Sequence, residues 1–464
     1  MKYNKSLIHI ILIQICFFKL SFSYLIFPFK THKTQLNDKE NNITLIFASL
    51  LDNNIFIELE IGEPKQTIEV FLRSDLYNFF ISKKAKNGKD PINENPYIFD
   101  VGSDLNKFFD EKNSTSIEIT NNTIISIYPE ETIGYVSTDL FHFVNTENKR
   151  ISKKIPFILY NNTKRNTPGV IGLEVPLDDI DKEFSFIDLL KENTIIESYF
   201  WMLNYTSDYE GELIIGEQPH IFAPLYYKEE DLKNFYPFLD DAMLGWGLVF
   251  DDINFGGKYF RQFHETYFSY EINYIKGIKE LEDELDIYFN SSIQDGVCFK
   301  ESNRFSWSQP HKFFYCNKEK YKEKIKYFPK LEFYQFDYNY TFELNYEDLF
   351  IEKNDIIILL IFFDDANFDW FLGRPFCKKY SFLMNQDTKI LSFYKKSQNN
   401  NNNENNSHKR NNNITIKIIF VVLTLIILLI LGIFIGKYYF KGVKKYKNVI
   451  EEEYDYTSKN DEIN

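Results

Sequence analysis

Residues 55–81 read Ile55-Phe-Ile-Glu-Leu-Glu-Ile61, Gly62-Glu-Pro-Lys-Gln66, Thr67-Ile-Glu-Val-Phe-Leu72, then Arg73-Ser-Asp-Leu-Tyr-Asn-Phe-Phe-Ile81. The first and third blocks alternate with period two, the spacing of half-buried strands. Glycine and proline between them mark a turn. The same alternation returns at Tyr340-Thr-Phe-Glu-Leu344, and Glu212-Leu-Ile-Ile215 ends in Gly216 as a strand entering a turn does. Helical patterning is sparse and is best at Phe186–Lys191 and Glu280–Phe289. The charge run Lys318–Lys326 reads as a solvated loop. Residues 40–396 therefore describe a mostly β body, all-β or β-rich α+β.

Composition narrows the function classes. At roughly 100–200 residues per domain, 464 residues allow two to four domains or one large bilobed one. Lys+Arg is 53 and Asp+Glu is 67, a net charge of −14, which argues against a nucleic-acid partner. Phe 47, Tyr 32 and Trp 4 supply ample core material and exclude wholesale disorder. Four cysteines are too few for a disulfide-stapled miniprotein. No metal spacing is visible among His32, His142, His220, His264, His311 and His408, and there is no H-E-x-x-H, G-x-S-x-G or phosphate loop. Asp364-Asp365 reads as a hairpin turn rather than a metal site, so no cofactor is expected.

The chain ends predict a topology. Residues 1–23 have Lys2 and Lys5, an apolar stretch from Leu7 to Phe18 and small residues at Ser21 and Ser23, as a secretory signal does. Ile418–Ile435 is an uncharged run of eighteen residues, about 27 Å of helix, extendable to 414–436. Lys437, Lys441, Lys444, Lys445 and Lys447 follow it and place the 437–464 tail in the cytosol. The expectation is a single-pass type I membrane protein, with an Asn-rich stalk at 397–413. Tyr446-Lys-Asn-Val449 resembles an endosomal sorting tetrapeptide, so the plasma membrane or endolysosomal system is expected. Sequons at Asn42, Asn113, Asn121, Asn161, Asn204, Asn290, Asn339, Asn405 and Asn413 all fall on the lumenal side. There Cys298 and Cys316 form the obvious disulfide, Cys16 leaves with the signal, and Cys377 reads as a buried thiol.

The order of motifs resembles the pepsin-like aspartic protease family. The turn Ile61-Gly-Glu-Pro-Lys-Gln66 and the segment Arg73–Ile81 are similar to that family's I-G-x-P-x-Q and D-T-G-S-S-N-L-W-V. Gly134 with Asp139, Pro168-Gly-Val-Ile-Gly-Leu173, Phe184–Phe186, Phe200–Leu203, Gly211–Leu213 and Gly216 follow in family order. So do Trp246, Cys298 with Cys316, Phe328–Phe333, Trp370-Phe-Leu-Gly-Arg-Pro-Phe376 and Lys379–Phe393. The resemblance implies a bilobed double-ψ fold with lobes at 51–216 and 217–396, preceded by an N-terminal segment, 24–50, that is short for an inhibitory prosegment. With its anchor the chain is similar to β-secretase in topology.

That family's chemistry needs two carboxylates sharing one proton. The resemblance puts the two catalytic positions at Arg73 and Ser269, neither of which can serve: a guanidinium never gives up its proton and a hydroxyl is neutral. The flap tip falls at Ile127 or Tyr128, followed by Pro129, Glu130 and Glu131 in place of a glycine-rich tip. Asp75 and Glu271 lie two residues past the lost acids, facing the same way along a strand. The expectation is an Arg73–carboxylate cluster in an inactive protease that binds a peptide or protein, favouring an acidic one, in its interlobe cleft. An active endopeptidase using a displaced Asp75/Glu271 dyad is the alternative; a third is a stable surface body whose cleft is plugged by Tyr77, Tyr128 or Tyr270.

Overall fold

In the computed structural model the described residues are 24–395, except 32–42, 44–45, 48–49, 51–54, 84–107, 127–131, 147, 161–167, 176–182, 238–244, 261–263, 304–309 and 365–369. The flap positions Ile127 and Tyr128, the signal at 1–23, and everything from the stalk onward lie outside them. Among the described residues no helix is long and apolar enough to cross a membrane.

The protein is mostly β. Its first strands are β1 (Leu25–Thr31), β2 (Ile55–Ile61), β3 (Gln66–Arg73), β4 (Phe79–Ser82), β5 (Glu118–Ser126), β6 (Thr132–Val144), β7 (Arg150–Tyr160), β8 (Gly169–Gly172), β9 (Phe200–Tyr205) and β10 (Glu210–Ile215). The predicted alternation at 55–61 is β2 to the residue. Its apolar side chains are buried and Glu58 and Glu60 face water. Pairing runs β2-β3-β8-β4-β7-β6 and returns from β6 to β2, so six strands close a ring. Closure satisfies edges that would otherwise template aggregation. Gly134 lies within this ring because a Cβ there would sit 2.4 Å from Ile158 Cγ2. Asp139 is fully buried and accepts hydrogen bonds from the Ser114 and Ser116 hydroxyls and the Leu140 amide.

Strand β1 was not anticipated. It lies between β10 and β2, with Leu25 opposite Ile215 and Phe29 opposite Ile57. Leu25 and Phe29 are fully buried. Further along the N-terminal segment, Ile43, Ile46, Phe47 and Leu50 have helical backbone, and their spacing puts them on one helix face. Ile46, Phe47 and Leu50 pack with Tyr274, Phe313, Ile358, Leu360 and Phe362. The Phe47 ring stacks on Phe313 at 4.2 Å. The N-terminal segment is thus anchored through β1 and through Ile46, Phe47 and Leu50.

The rest of the chain supplies β11 (Leu232–Phe235), β12 (Gly247–Phe250), β13 (Asp252–Phe255), β14 (Lys258–Phe260), β15 (His264–Phe268), β16 (Ile275–Lys276), β17 (Cys298–Asn303) and β18 (His311–Asn317). It continues with β19 (Leu331–Gln335), β20 (Tyr340–Leu344), β21 (Phe350–Lys353), β22 (Ile356–Leu359), β23 (Ile361–Phe362), β24 (Trp370–Leu372), β25 (Phe382–Asn385) and β26 (Ile390–Tyr394). Strands β11, β26 and β25 extend the first sheet through β9. The others form sheets ordered β12-β15-β24-β16-β23, β14-β13-β19-β20 and β17-β18-β22-β21.

Three helices matter for the packing: α1 (Phe186–Glu192), α2 (Lys279–Gln294) and α3 (Arg374–Lys379). Helix α2 buries Leu281, Leu285 and Phe289 at four-residue spacing. Its Glu282 is also buried and is met by Lys279, Lys300 and Lys312. The disulfide Cys298–Cys316 joins facing residues of β17 and β18. Cys377 is a buried free thiol, as read from the sequence. The run 318–326 is not a solvated loop. It folds as a helical turn, Lys318–Tyr321, and a 3-10 turn, Ile325–Tyr327, because Tyr321 and Ile325 reach the core between the lysines. Asp364 is no simple turn residue either: it pairs with Lys276 at 2.8 Å, well shielded from water. Sequon residues Asn113, Asn121, Asn290 and Asn339 are exposed and Asn204 is half-buried. Asn42, Asn161, Asn405 and Asn413 lie outside the described residues.

Two predictions follow from this packing. Phe47→Ala should cost about 3–5 kcal/mol in denaturant unfolding, as for a filled aromatic core site; a loss under about 1 kcal/mol would mean residues 43–50 are not docked. Burial also lowers the pKa of His264 and of His311, so the folded chain holds both neutral. The unfolded chain binds those protons below about pH 6.5. Stability is therefore full above that pH and falls as acid approaches the lowered folded values. The melting temperature should drop between pH 7 and pH 5, and His311→Gln should flatten the slope.

Candidate functional site

Two strand–loop–strand units repeat one arrangement. In the first, β8 runs parallel to β3 and antiparallel to β4, with Ile171 opposite both Leu72 and Phe79. In the second, β24 runs parallel to β15 and antiparallel to β16, with Leu372 opposite both Phe268 and Ile275. Each loop therefore leaves its first strand at the residue after Leu72 or after Phe268. Those residues are Arg73 and Ser269, and two positions on are Asp75 and Glu271. The register alone makes the two pairs equivalent.

A glycine at the end of each inserted strand makes the crossing possible. A Cβ on Gly172 would lie 2.3 Å from the Leu76 carbonyl oxygen, and one on Gly373 would lie 2.0 Å from that of Tyr274. Both loops pass over these glycines at backbone contact. The second unit is tied down by Ser269 N–H donating to Leu372 O at 3.2 Å and Arg374 N–H donating to Ile272 O at 3.0 Å. In the first, Leu173 N–H donates to Arg73 O at 2.8 Å and Gly172 N–H to Asn78 O at 3.0 Å.

The side chains then sort themselves. Arg73 grips Asp75 with both arms of its fork, Nε to Oδ1 at 2.8 Å and Nη2 to Oδ2 at 2.6 Å. A bidentate guanidinium–carboxylate pair is a strong charge-assisted contact. Asp75 is about half exposed, so its net worth stays modest. Glu271 reaches across from the second loop, and the Ser74 hydroxyl donates to its Oε2 at 2.7 Å. This bond links residues 197 apart in sequence and joins the two loops. Ser269 is buried at 8% exposure. Of the carboxylates expected around Arg73, Asp75 pairs with it, and Glu271 bonds to Ser74.

Tyr270 packs in the core. It is buried, its ring lies edge-on to Trp201 at 6.0 Å, and its hydroxyl donates to Met384 Sδ at 3.6 Å. Burial pushes its pKa well up, so it stays a neutral core residue. Tyr77 is half-buried, and Tyr128 lies outside the described residues. Below the loops, Trp246 Nε1 donates to Leu173 O at 3.0 Å and Gln386 Nε2 to Glu174 O at 3.1 Å. Those bonds carry chain from beyond residue 245 onto the first unit. No cluster of His, Cys, Asp or Glu among the described residues is arranged to hold a metal ion.

Sequence reasoning missed the Ser74–Glu271 bond, because a contact across 197 residues has no local signature. It also missed buried Arg374, whose place in the Trp370–Phe376 run shows only chain order.

No protein-family model and no curated protein sequence matches this chain.

The loop-to-loop bond is open to a double-mutant cycle. Ser74→Ala leaves the carboxylate short of a donor and should cost about 1–3 kcal/mol. Combined with Glu271→Gln it should show a coupling of at least about 0.5 kcal/mol in denaturant unfolding. Strict additivity would mean that the two residues do not meet in solution.

Proposed function

We propose that this chain is a membrane-anchored, pepsin-like pseudoprotease, a bilobed double-ψ body that binds a peptide or protein and does not cut it. The observation that carries the reading is the matching of the two units. They have the same strand order, the same loop length between Ile171- and Leu372-paired residues, and a crossing glycine each, with Arg73 and Ser269 at the equivalent loop starts. In a pepsin-like protease those two starts hold the acids that share a proton. Here a permanent cation and a neutral hydroxyl stand there.

The displaced-dyad alternative loses support from the same geometry. The two acids of a working dyad share one proton. Here Asp75 is engaged by the Arg73 guanidinium and Glu271 by the Ser74 hydroxyl. An earlier expectation changes as well: the charge of Arg73 is engaged by Asp75, so an acidic ligand is no longer favoured over others. Type I anchoring and a lumenal or cell-surface setting rest on the apolar run 418–435 and its flanking lysines.

The test is proteolysis by the purified full-length chain in detergent against a broad peptide library from pH 3 to 7, with pepstatin as control. No acid-dependent, pepstatin-sensitive cleavage is expected. Cleavage lost on Asp75→Asn or Glu271→Gln would replace this reading with the active alternative.

A further inference from the structure

Arg374, at the start of α3, is a deeply buried charge. It is 2% exposed. Its Nε donates to the Tyr270 carbonyl at 2.9 Å, and both Nη nitrogens are buried without a hydrogen-bond partner. The acids that act on it through their charge are Glu271 and Asp208. Neither is an ion-pair partner: Glu271 accepts from Ser74, and Asp208 pairs with Lys378. A buried cation without a counter-ion is among the costliest features a fold can hold.

A second donor lies beside it. The hydroxyl of Tyr205, at the end of β9, is fully buried next to the Arg374 guanidinium, and its proton has no acceptor. Burial raises the pKa of that hydroxyl, while the adjacent guanidinium pulls the other way. The group therefore remains an O–H donor at any working pH. Guanidinium and hydroxyl donors are thus buried together around a positive charge that makes no ion pair with Glu271 or Asp208. Water could accept these donors, but it cancels no charge. A peptide carboxylate is too large to reach a residue this deeply covered.

We propose that Arg374 and Tyr205 form a buried site for a small monovalent inorganic anion, of the size and charge of chloride. The anion accepts from Nη1 and Nη2 of Arg374 and from the Tyr205 hydroxyl. It serves as counter-ion to the residue whose Nε and backbone N–H hold Tyr270 O and Ile272 O, on either side of Glu271. The site thereby steadies the second loop from beneath. It stands whether or not the chain proves proteolytic, because it rests on burial and unpaired donors alone.

The experiment is thermal unfolding of the purified full-length chain in detergent, with chloride exchanged for gluconate at constant ionic strength. The melting temperature is expected to rise by about 3 °C at saturating chloride. Tyr205→Phe should weaken that dependence and Arg374→Met should abolish it. Crystals grown in bromide should show an anomalous peak against the Arg374 guanidinium. If Arg374→Met does not fold, Tyr205→Phe and the bromide peak decide. A melting temperature indifferent to the anion, with no halide peak, would overturn the proposal. So would a chloride effect that persists in Arg374→Met.

Discussion

Everything at the centre of this molecule depends on two places where a loop crosses a strand with no room for a side chain. At Gly172 and at Gly373 the passing backbone comes within 2.3 Å and 2.0 Å of where a Cβ would be. The inserted strand can then pair in parallel on one side and antiparallel on the other. That double pairing fixes where each loop begins, so it also fixes which residue stands at the loop start. The chemistry of the site follows from chain geometry before any side chain is chosen.

The side chains placed there tie the loops together and to themselves. A protease dyad keeps two acids close and under tension, since only one can ionise. Here each carboxylate has a donor of its own, a guanidinium for Asp75 and a hydroxyl for Glu271.

Much of the fold was legible in local patterns. The alternation at 55–61 and 340–344 matches β2 and β20, and the helical spacings at 186–191 and 280–289 lie within α1 and α2. All but α1, whose residues 186–190 are buried in succession, show one face to the core and one to water, which is what periodicity records. The misreadings came where burial and polarity part company. Lysines at 318–326 hid the two apolar anchors Tyr321 and Ile325, since long cationic stems can lie over apolar surface with their heads in water. Strand β1 carries Pro28 and Lys30, which weaken a strand signal, although it ends up inside a sheet. At the site, Arg73 and Asp75 were readable as a pair because they stand two apart in the chain, although Asp75 lies in the bend beyond the end of β3. Glu271 meeting Ser74, and Arg374 sinking beneath the second loop, depend on how distant segments come together.

The position of β1 has a consequence for how the chain is made. Leu25–Thr31 is synthesised near the start, yet its partner β10 arrives only at residues 210–215. An apolar strand must therefore wait through some 180 residues of elongation with one edge unpaired. At about 5–20 residues per second that is a delay of roughly ten to forty seconds. Contacts so far apart in sequence make folding slow and leave intermediates open to mispairing. The step that closes β1 into the first sheet thus comes only near the midpoint of synthesis, and until then the nascent chain carries an exposed apolar edge that must be kept from the wrong partner.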